Sequence, residues 1–558
     1  MVKVSELVYK RPQKDEVIAS LKKFKHDLDS ASTLEGFMSV HQQYKEFAID
    51  LFTNISLAEI RFTQDTRDEF YTEERNYLDE VLPEINLHSA EVAKSYLTSK
   101  FRPQLEEIFP KVMFTNLQLQ ADSNSPLIVE DKIEQNKLVT AYTNLMSNIV
   151  VDFNGEKLPL SGLAKYYGVP DRETRKQAYM KLGEVLVENG EKLDEIYDNL
   201  VKIRTRMGQK MGFENFSPLG YMQMQRNCYN KQDIAKFRKN VEKYIVPLTV
   251  KIRNKVADKM GWDKQFLYDF NVFTEQEPKP YGSAEEIFKE ASKMYNEMSE
   301  ETGKLFDLMV ESECFDYMSR EGKWGGGYCS TLPKYKLPFI LSNFNGSAGD
   351  IDVLTHEFGH AFEAYKEFDI DSSFLSSISM ETAEVHSMSM EFLAYPWIDK
   401  FFKDRTEAYK FYHIGSAVTF IPYGTIVDYF QQNCYDNPTM TPSQRNDMFN
   451  MMEKQFIPYM STEGLPGIEK GRRWQRQAHI FESPFYYIDY CLAQFTALQF
   501  LALSQKDYKA TFDKYVKFVS LGGTKSFVDL LKECDLYSPF EEKSFKIVVE
   551  AIEKILEL

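Results

Sequence analysis

The segment His356-Glu357-Phe358-Gly359-His360 constrains this chain more than any other five residues in it. A helix turns about 100° per residue, so two histidines four positions apart lie within roughly 40° of each other on one face. Two imidazoles placed this way can share one divalent cation, and the carboxylate of Glu357 beside them can reach a water on that cation. The flanking residues favour a helix. Gly346-Ser347-Ala348-Gly349-Asp350 supplies turn chemistry, and Ile351, Leu354, Phe358, Ala361 and Phe362 then recur at helical spacing. The motif is therefore expected on a buried helix, where a plain pair of packed histidines is the competing explanation.

Catalytic zinc takes three protein ligands and keeps one position open, so the third ligand decides the type of site. A third histidine close by is excluded, because Glu363 and Lys366 stand where an H-E-x-x-H-x-x-G-x-x-H sequence would have its glycine and last histidine. A glutamate at the spacing of thermolysin-like enzymes is excluded by Ser379 and Met380. The next candidates, Glu381 and Glu384, are three apart on a second predicted helix and share a face. Ile378, Met380, Val385, Met388, Met390 and Phe392 around them are apolar, so the helix should be buried and its carboxylates in need of a cation. Glu384 is assigned as the third ligand, and Glu381 as the acceptor for the free ring nitrogen of a ligand histidine. His386 falls on the far side of that helix and is expected at most to support a ligand residue from behind or to adjoin the cleft.

With Glu384 standing 24 positions after His360, the pattern resembles the thimet oligopeptidase and oligoendopeptidase F family of zinc metallopeptidases, most closely its bacterial oligoendopeptidase F branch. Gly325-Gly326-Gly327-Tyr328-Cys329 is similar to the glycine-rich edge strand with which these enzymes hold peptides. The stretches Arg472 to His479 and Pro484 to Tyr490 resemble their C-terminal His and Tyr cluster, and Asp171-Arg172-Glu173-Thr174-Arg175 extends the likeness upstream. The resemblance implies a mainly α, two-lobed, clam-like molecule with a deep central channel and a small β-sheet near the zinc helix. It further implies one zinc ion per chain and oligopeptide substrates.

On this basis the chain is expected to be a zinc-dependent endopeptidase that hydrolyses internal bonds of oligopeptides. Glu357 would act as general base toward the zinc-activated water, and His479, Tyr487 and Tyr490 would donate to the oxyanion. Tyr486 ranks behind them, because the His-to-Tyr spacing is one residue shorter than in the thimet branch. Gly325, Gly326, Gly327 and Tyr328 would bind substrate backbone as an added strand. The bland alternatives are an aromatic core stripe for the tyrosines and a flexible loop for the glycines. Two other functions stay open: a peptidyl-dipeptidase-type zinc enzyme on a similar scaffold, and an inactive peptide-binding protein.

The rest of the chain sets bounds. A 43% hydrophobic and 14% aromatic content over 558 residues suffices for a large core in two or more lobes. A net charge of −17 disfavours nucleic acid and anionic membranes as partners. Lys3, Lys10, Arg11 and Lys14 interrupt the start of the chain, which argues against a secretion signal, and no apolar run approaches a membrane span. A cytoplasmic location is expected. Six cysteines without C-x-x-C spacing argue against a disulfide framework. The run Lys470 to Arg476 either binds a substrate carboxylate or forms a solvated basic face. Helices are expected over 14–50 and from 56 to near 150, then an Asn-Gly hairpin between Ile149 and Leu158. That hairpin marks the expected border between an N-terminal helical domain, 1–150, and a catalytic region, 151–558. A small sheet is expected between Gly325 and Ser342.

Overall fold

The computed structural model describes residues 2–375 and 378–558. The chain forms two compact units, each built from three stretches: Met1–Ala121, Pro278–Thr406 and Leu503–Leu536 in the first, Asp122–Glu277, Glu407–Ala502 and Tyr537–Leu558 in the second. The units therefore interleave along the sequence, and the border near residue 150 stays a proposal about sequence domains alone. Both units are mainly helical.

The first unit opens with helices Lys14–Ser30, Leu34–Gln64 and Glu69–Thr98. Thr33 and Asp68 start the second and third by accepting the backbone N–H of Gly36 and Tyr71. Leu21, Phe37, Ile85, Val92 and Tyr96 form their shared core. The second helix runs unbroken through 51–55, where the sequence suggested an interruption. No glycine or proline stands there, and Leu51, Leu57, Ala58 and Ile60 carry the buried face straight through.

A three-stranded sheet follows, with β1 (Phe315–Met318), β2 (Tyr328–Leu332) and β3 (Leu337–Phe344) in the order β1-β3-β2. The central strand β3 is buried along nearly its whole length, which explains its continuous apolar run. Strand β2 pairs antiparallel with β3, Tyr328 opposite Leu341 and Leu332 opposite Leu337, and forms an edge. The short parallel strand β1 lies upstream of the region where a sheet was expected.

Directly after β3 comes the motif helix, Gly349–Glu367. Asp350 in its first turn accepts the N–H groups of Asn345 and Gly346 at 2.9 and 2.7 Å, closing the preceding turn. Ile351, Leu354, Phe358, Ala361 and Phe362 are at most 1% exposed. Phe358 packs on Tyr295 and Phe306, with ring centroids 3.8 and 5.7 Å away. A second helix, Met380–Leu393, crosses the motif helix at Gly359. A Cβ on Gly359 would lie 2.6 Å from Cα of Ser387 and 2.7 Å from the carbonyl oxygen of His386, so only a residue without a side chain permits this approach.

In the second unit, Val150–Phe153 pairs antiparallel with Glu156–Pro159. The intervening Asn154 and Gly155 have φ of 51° and 81°, the left-handed pair that a two-residue hairpin turn requires. Trp474 centres this unit's core, 4.8 Å from Tyr197 and 4.9 Å from Phe430 between ring centroids. Neither expectation for the basic run holds for its two central arginines: Arg472 is bound to Asp194 at 3.0 Å, and the buried Arg473 to Glu453 at 2.8 Å. Among the described residues, no helix is long and apolar enough to cross a membrane.

Candidate metal centre

The motif helix and the helix Met380–Leu393 bring His356, His360 and Glu384 together within the first unit. One potential ligand atom from each lies within 4.8 Å of the others. Nε2 of His356 is 3.5 Å from the Glu384 carboxylate, and Nε2 of His360 is 3.9 Å from it. The three donors thus surround a common point without being bonded tightly to one another. Two imidazoles and one carboxylate are a donor set suited to a borderline-soft divalent ion.

The electrostatics match this description. Although burial works against its charge, hydrogen bonds to Glu384 and Glu391 hold His356 protonated well above the usual imidazole range. Burial, aided by the charge of His356, pushes His360 down to about 4, so its lone pair is free to bind a cation. Burial opposes ionisation of Glu384, but His356 and His360 together keep its carboxyl below the ordinary value.

Glu357 lies beside these three side chains and is 8% exposed. Burial pushes it up to about 7. The charge of His356 and a hydrogen bond from the backbone N–H of Cys329 pull it down, and Glu384 and Glu391 push it up. Strand β2 is thereby tied to Glu357. Gly327 sits equally close, since a Cβ there would be 3.2 Å from Val353 and 3.8 Å from the Glu357 carboxylate. Gly325 and Gly326 lead into β2, with Asn343 donating to the carbonyl of Gly326 at 2.8 Å. The phenol of Tyr328 is hydrogen-bonded to Thr63 at 2.6 Å.

Two expectations change. The carboxylate on Nδ1 of His356 belongs to Glu391, at 2.7 Å, and not to Glu381. Glu381 is buried at the start of its helix. Glu391 follows Glu384 by seven residues, two turns on the same face, and that spacing could have identified it. Of the two places allowed for His386, the cleft is not the one it takes. It is fully buried with its ring 5.4 Å from Phe518.

The remaining candidates lie in the second unit. Tyr486, Tyr487 and Tyr490 gather around His479, with ring centroids 5.7, 4.8 and 6.1 Å from it. Tyr490 donates to the oxygen of Tyr486 at 2.7 Å, so the tyrosine ranked last from sequence is built into the cluster. Gln477 bonds Nδ1 of His479 at 2.9 Å and accepts from Tyr423 at 2.8 Å, which fixes the ring. Burial lowers the pKa of His479, against the charge of Glu482, which raises it.

Comparison with known proteins adds an independent line. Residues 166–547 match the family described as Peptidase family M3, and residues 4–124 match the Peptidase M3 N-terminal domain. The chain is 22% identical over 524 residues to an oligoendopeptidase F homolog of Borreliella burgdorferi, covering 83% of this chain and 84% of that one. The solved structure of PZ peptidase A with inhibitor 2 superposes with a TM-score of 0.89 at 40% identity, covering 100% of this chain and 99% of the other. Oligoendopeptidase F from Enterococcus faecium, 13% identical, shares the fold with a TM-score of 0.62 over 98% and 96% of the two chains.

Proposed function

The chain belongs to Peptidase family M3 and is a metallopeptidase; from that premise we propose that it hydrolyses internal bonds of oligopeptides, with one zinc ion held by His356, His360 and Glu384 and with Glu357 as general base. The observation that carries this proposal is the convergence of those three side chains, from two helices, to within 4.8 Å. When bound, zinc supplies a Lewis acid that activates water and polarises the peptide carbonyl.

The chain's own residues account for the other requirements. Glu357, with its pKa at about 7, is suited to take a proton from the attacking water and return it to the leaving amine. Glu391 orients His356 through Nδ1 and leaves Nε2 for the metal. Gly325, Gly326, Gly327 and Tyr328, at the start of edge strand β2, are proposed to bind the substrate backbone as an added strand, which would bring a peptide alongside Glu357. His479, Tyr487 and Tyr490 are proposed as donors to the substrate carbonyl, and the support for this is their clustering with Tyr486.

The test is Glu357→Gln. This variant is expected to bind zinc as the wild type does and to lose about 10²–10⁴-fold in turnover of a quenched fluorescent peptide, the usual contribution of a positioned base. Wild-type turnover should stop with a chelator and return with zinc. Near-wild-type turnover by Glu357→Gln would remove the proposed base, and chelator-insensitive cleavage would remove the metal.

A further inference from the structure

One residue beside the tyrosine cluster of the second unit is held in a conformation that its type avoids. Phe485 has a φ of 68°, in the left-handed region that a bulky side chain enters only at a cost. It belongs to the turn Ser483-Pro484-Phe485-Tyr486, which the N–H of Tyr486 closes on the carbonyl of Ser483 at 3.2 Å. A proline in second place and a left-handed residue in third are the pattern of a type II turn, whose third place normally goes to glycine. The helix Tyr487–Ser504 begins directly after this turn. The conformation of Phe485 therefore sets the direction in which Tyr486, Tyr487 and Tyr490 leave the backbone.

Strain of this kind persists only where the surroundings fix it, and three contacts do so here. The Phe485 ring is fully buried, stacked with Phe216 at 6.2 Å between centroids and lying against Gly220, where a Cβ would come within 2.8 Å of it. The Phe485 N–H donates at 3.1 Å to Oε1 of the buried Gln431, on the helix Thr406–Asp436. The Phe485 carbonyl accepts from Nη2 of the buried Arg226. That nitrogen also donates to Oδ1 of Asp489, in the first turn of the tyrosine helix, at 3.0 Å, and the Tyr229 hydroxyl donates to the same oxygen at 3.2 Å. One guanidinium thus grips the chain on both sides of Tyr486 and Tyr487.

Stability alone is a poor account of this arrangement. A buried ion pair adds little over a packed apolar replacement, and among the described residues Nε and Nη1 of Arg226 have no hydrogen-bond partner. What the clamp fixes is a direction. The rings of Tyr487 and Tyr490 stand 4.8 and 6.1 Å from His479 between centroids. A donor to a developing oxyanion has to be in place before the reaction begins, and a displacement of about 1 Å can cost about 100-fold in rate.

We propose that Arg226 and Gln431 are positioning residues for peptide hydrolysis: by clamping the peptide groups on either side of Phe485 in a left-handed turn, they hold the phenols of Tyr487 and Tyr490 beside His479. Neither residue touches the substrate. The inference rests on the donor role proposed above for those tyrosines.

The experiment measures turnover of a quenched fluorescent peptide, at saturating zinc, in two backgrounds: the wild type and Tyr487→Phe/Tyr490→Phe. Loss of both phenols is expected to lower kcat about 10²–10³-fold. Gln431→Met and Arg226→Lys each release one side of the clamp. In the wild-type background each is expected to lower kcat about 10–100-fold with KM and zinc affinity unchanged. Once the phenols are absent, each should lower it by less than about twofold further. A clamp that only supports the core would lower activity by the same factor in both backgrounds, and that result overturns the proposal. Wild-type kcat in the folded clamp variants, with the phenol variant impaired, also overturns it and leaves the tyrosine donors standing. Wild-type kcat in the phenol variant removes the donors and, with them, the role of the clamp. Should Arg226→Lys fail to fold, Gln431→Met leaves the buried ion pair intact and decides between these outcomes by itself.

Discussion

Gly359→Ala probes the helix crossing that positions the proposed metal ligands. The added methyl would sit 2.6 Å from Cα of Ser387 and 2.7 Å from the carbonyl oxygen of His386, whereas carbon atoms rest at about 3.5–4.0 Å. Both obstacles are backbone, so no side chain can swing aside, and the two helices must part by about 1 Å. Overpacking of this kind costs about 1–3 kcal/mol, and backbone obstruction argues for the upper end. Alanine returns about 1 kcal/mol of helix propensity relative to glycine, leaving a net loss of about 2 kcal/mol. For a unit of this size that lowers the melting temperature of the metal-free protein by about 3 °C. The metal suffers more. Glu384 sits three residues before Ser387 on the helix that moves, and zinc tolerates only about 0.2 Å of error in its bond lengths. Zinc affinity should fall about 10–100-fold. Competition with a graded series of chelators measures that affinity, and a melt in excess chelator measures stability. Gly168→Ala is the control, since nothing lies within 4 Å of a Cβ there. If Gly359→Ala matches the wild type in both measurements, the close crossing of the two helices does not set the ligand geometry.

Glu391→Gln should weaken zinc binding about 10–100-fold by loosening His356, with turnover largely recovered at saturating zinc; chelator competition checks this, and wild-type affinity would mean that Glu391 does not orient the ligand. Asp489→Ala should destabilise the protein by about 3 kcal/mol, the lower end for breaking a buried ion pair, because it removes the carboxylate 3.0 Å from the buried guanidinium of Arg226 while the Phe485 carbonyl and the charge of Asp428 remain beside it. Denaturant unfolding followed by circular dichroism reads that loss, and an unshifted midpoint would contradict it.

Local chemistry made much of this protein readable from its residues alone. His356, Glu357 and His360 had to share a helical face because the helix period is fixed, and the apolar spacing from Ile351 to Phe362 showed which side of that helix is buried. The Asn154-Gly155 turn was equally legible, since few dipeptides tolerate two successive left-handed residues. Contacts between elements distant in sequence were not legible. Glu391 rather than Glu381 meets His356 because of how far the second helix slides along the first, and that offset is set by the backbone contact at Gly359. Strand β1 forms because β3 offers it a free edge, although its own four residues carry a weak pattern. Periodicity determines which face a side chain occupies, and only the packed structure determines what that face meets.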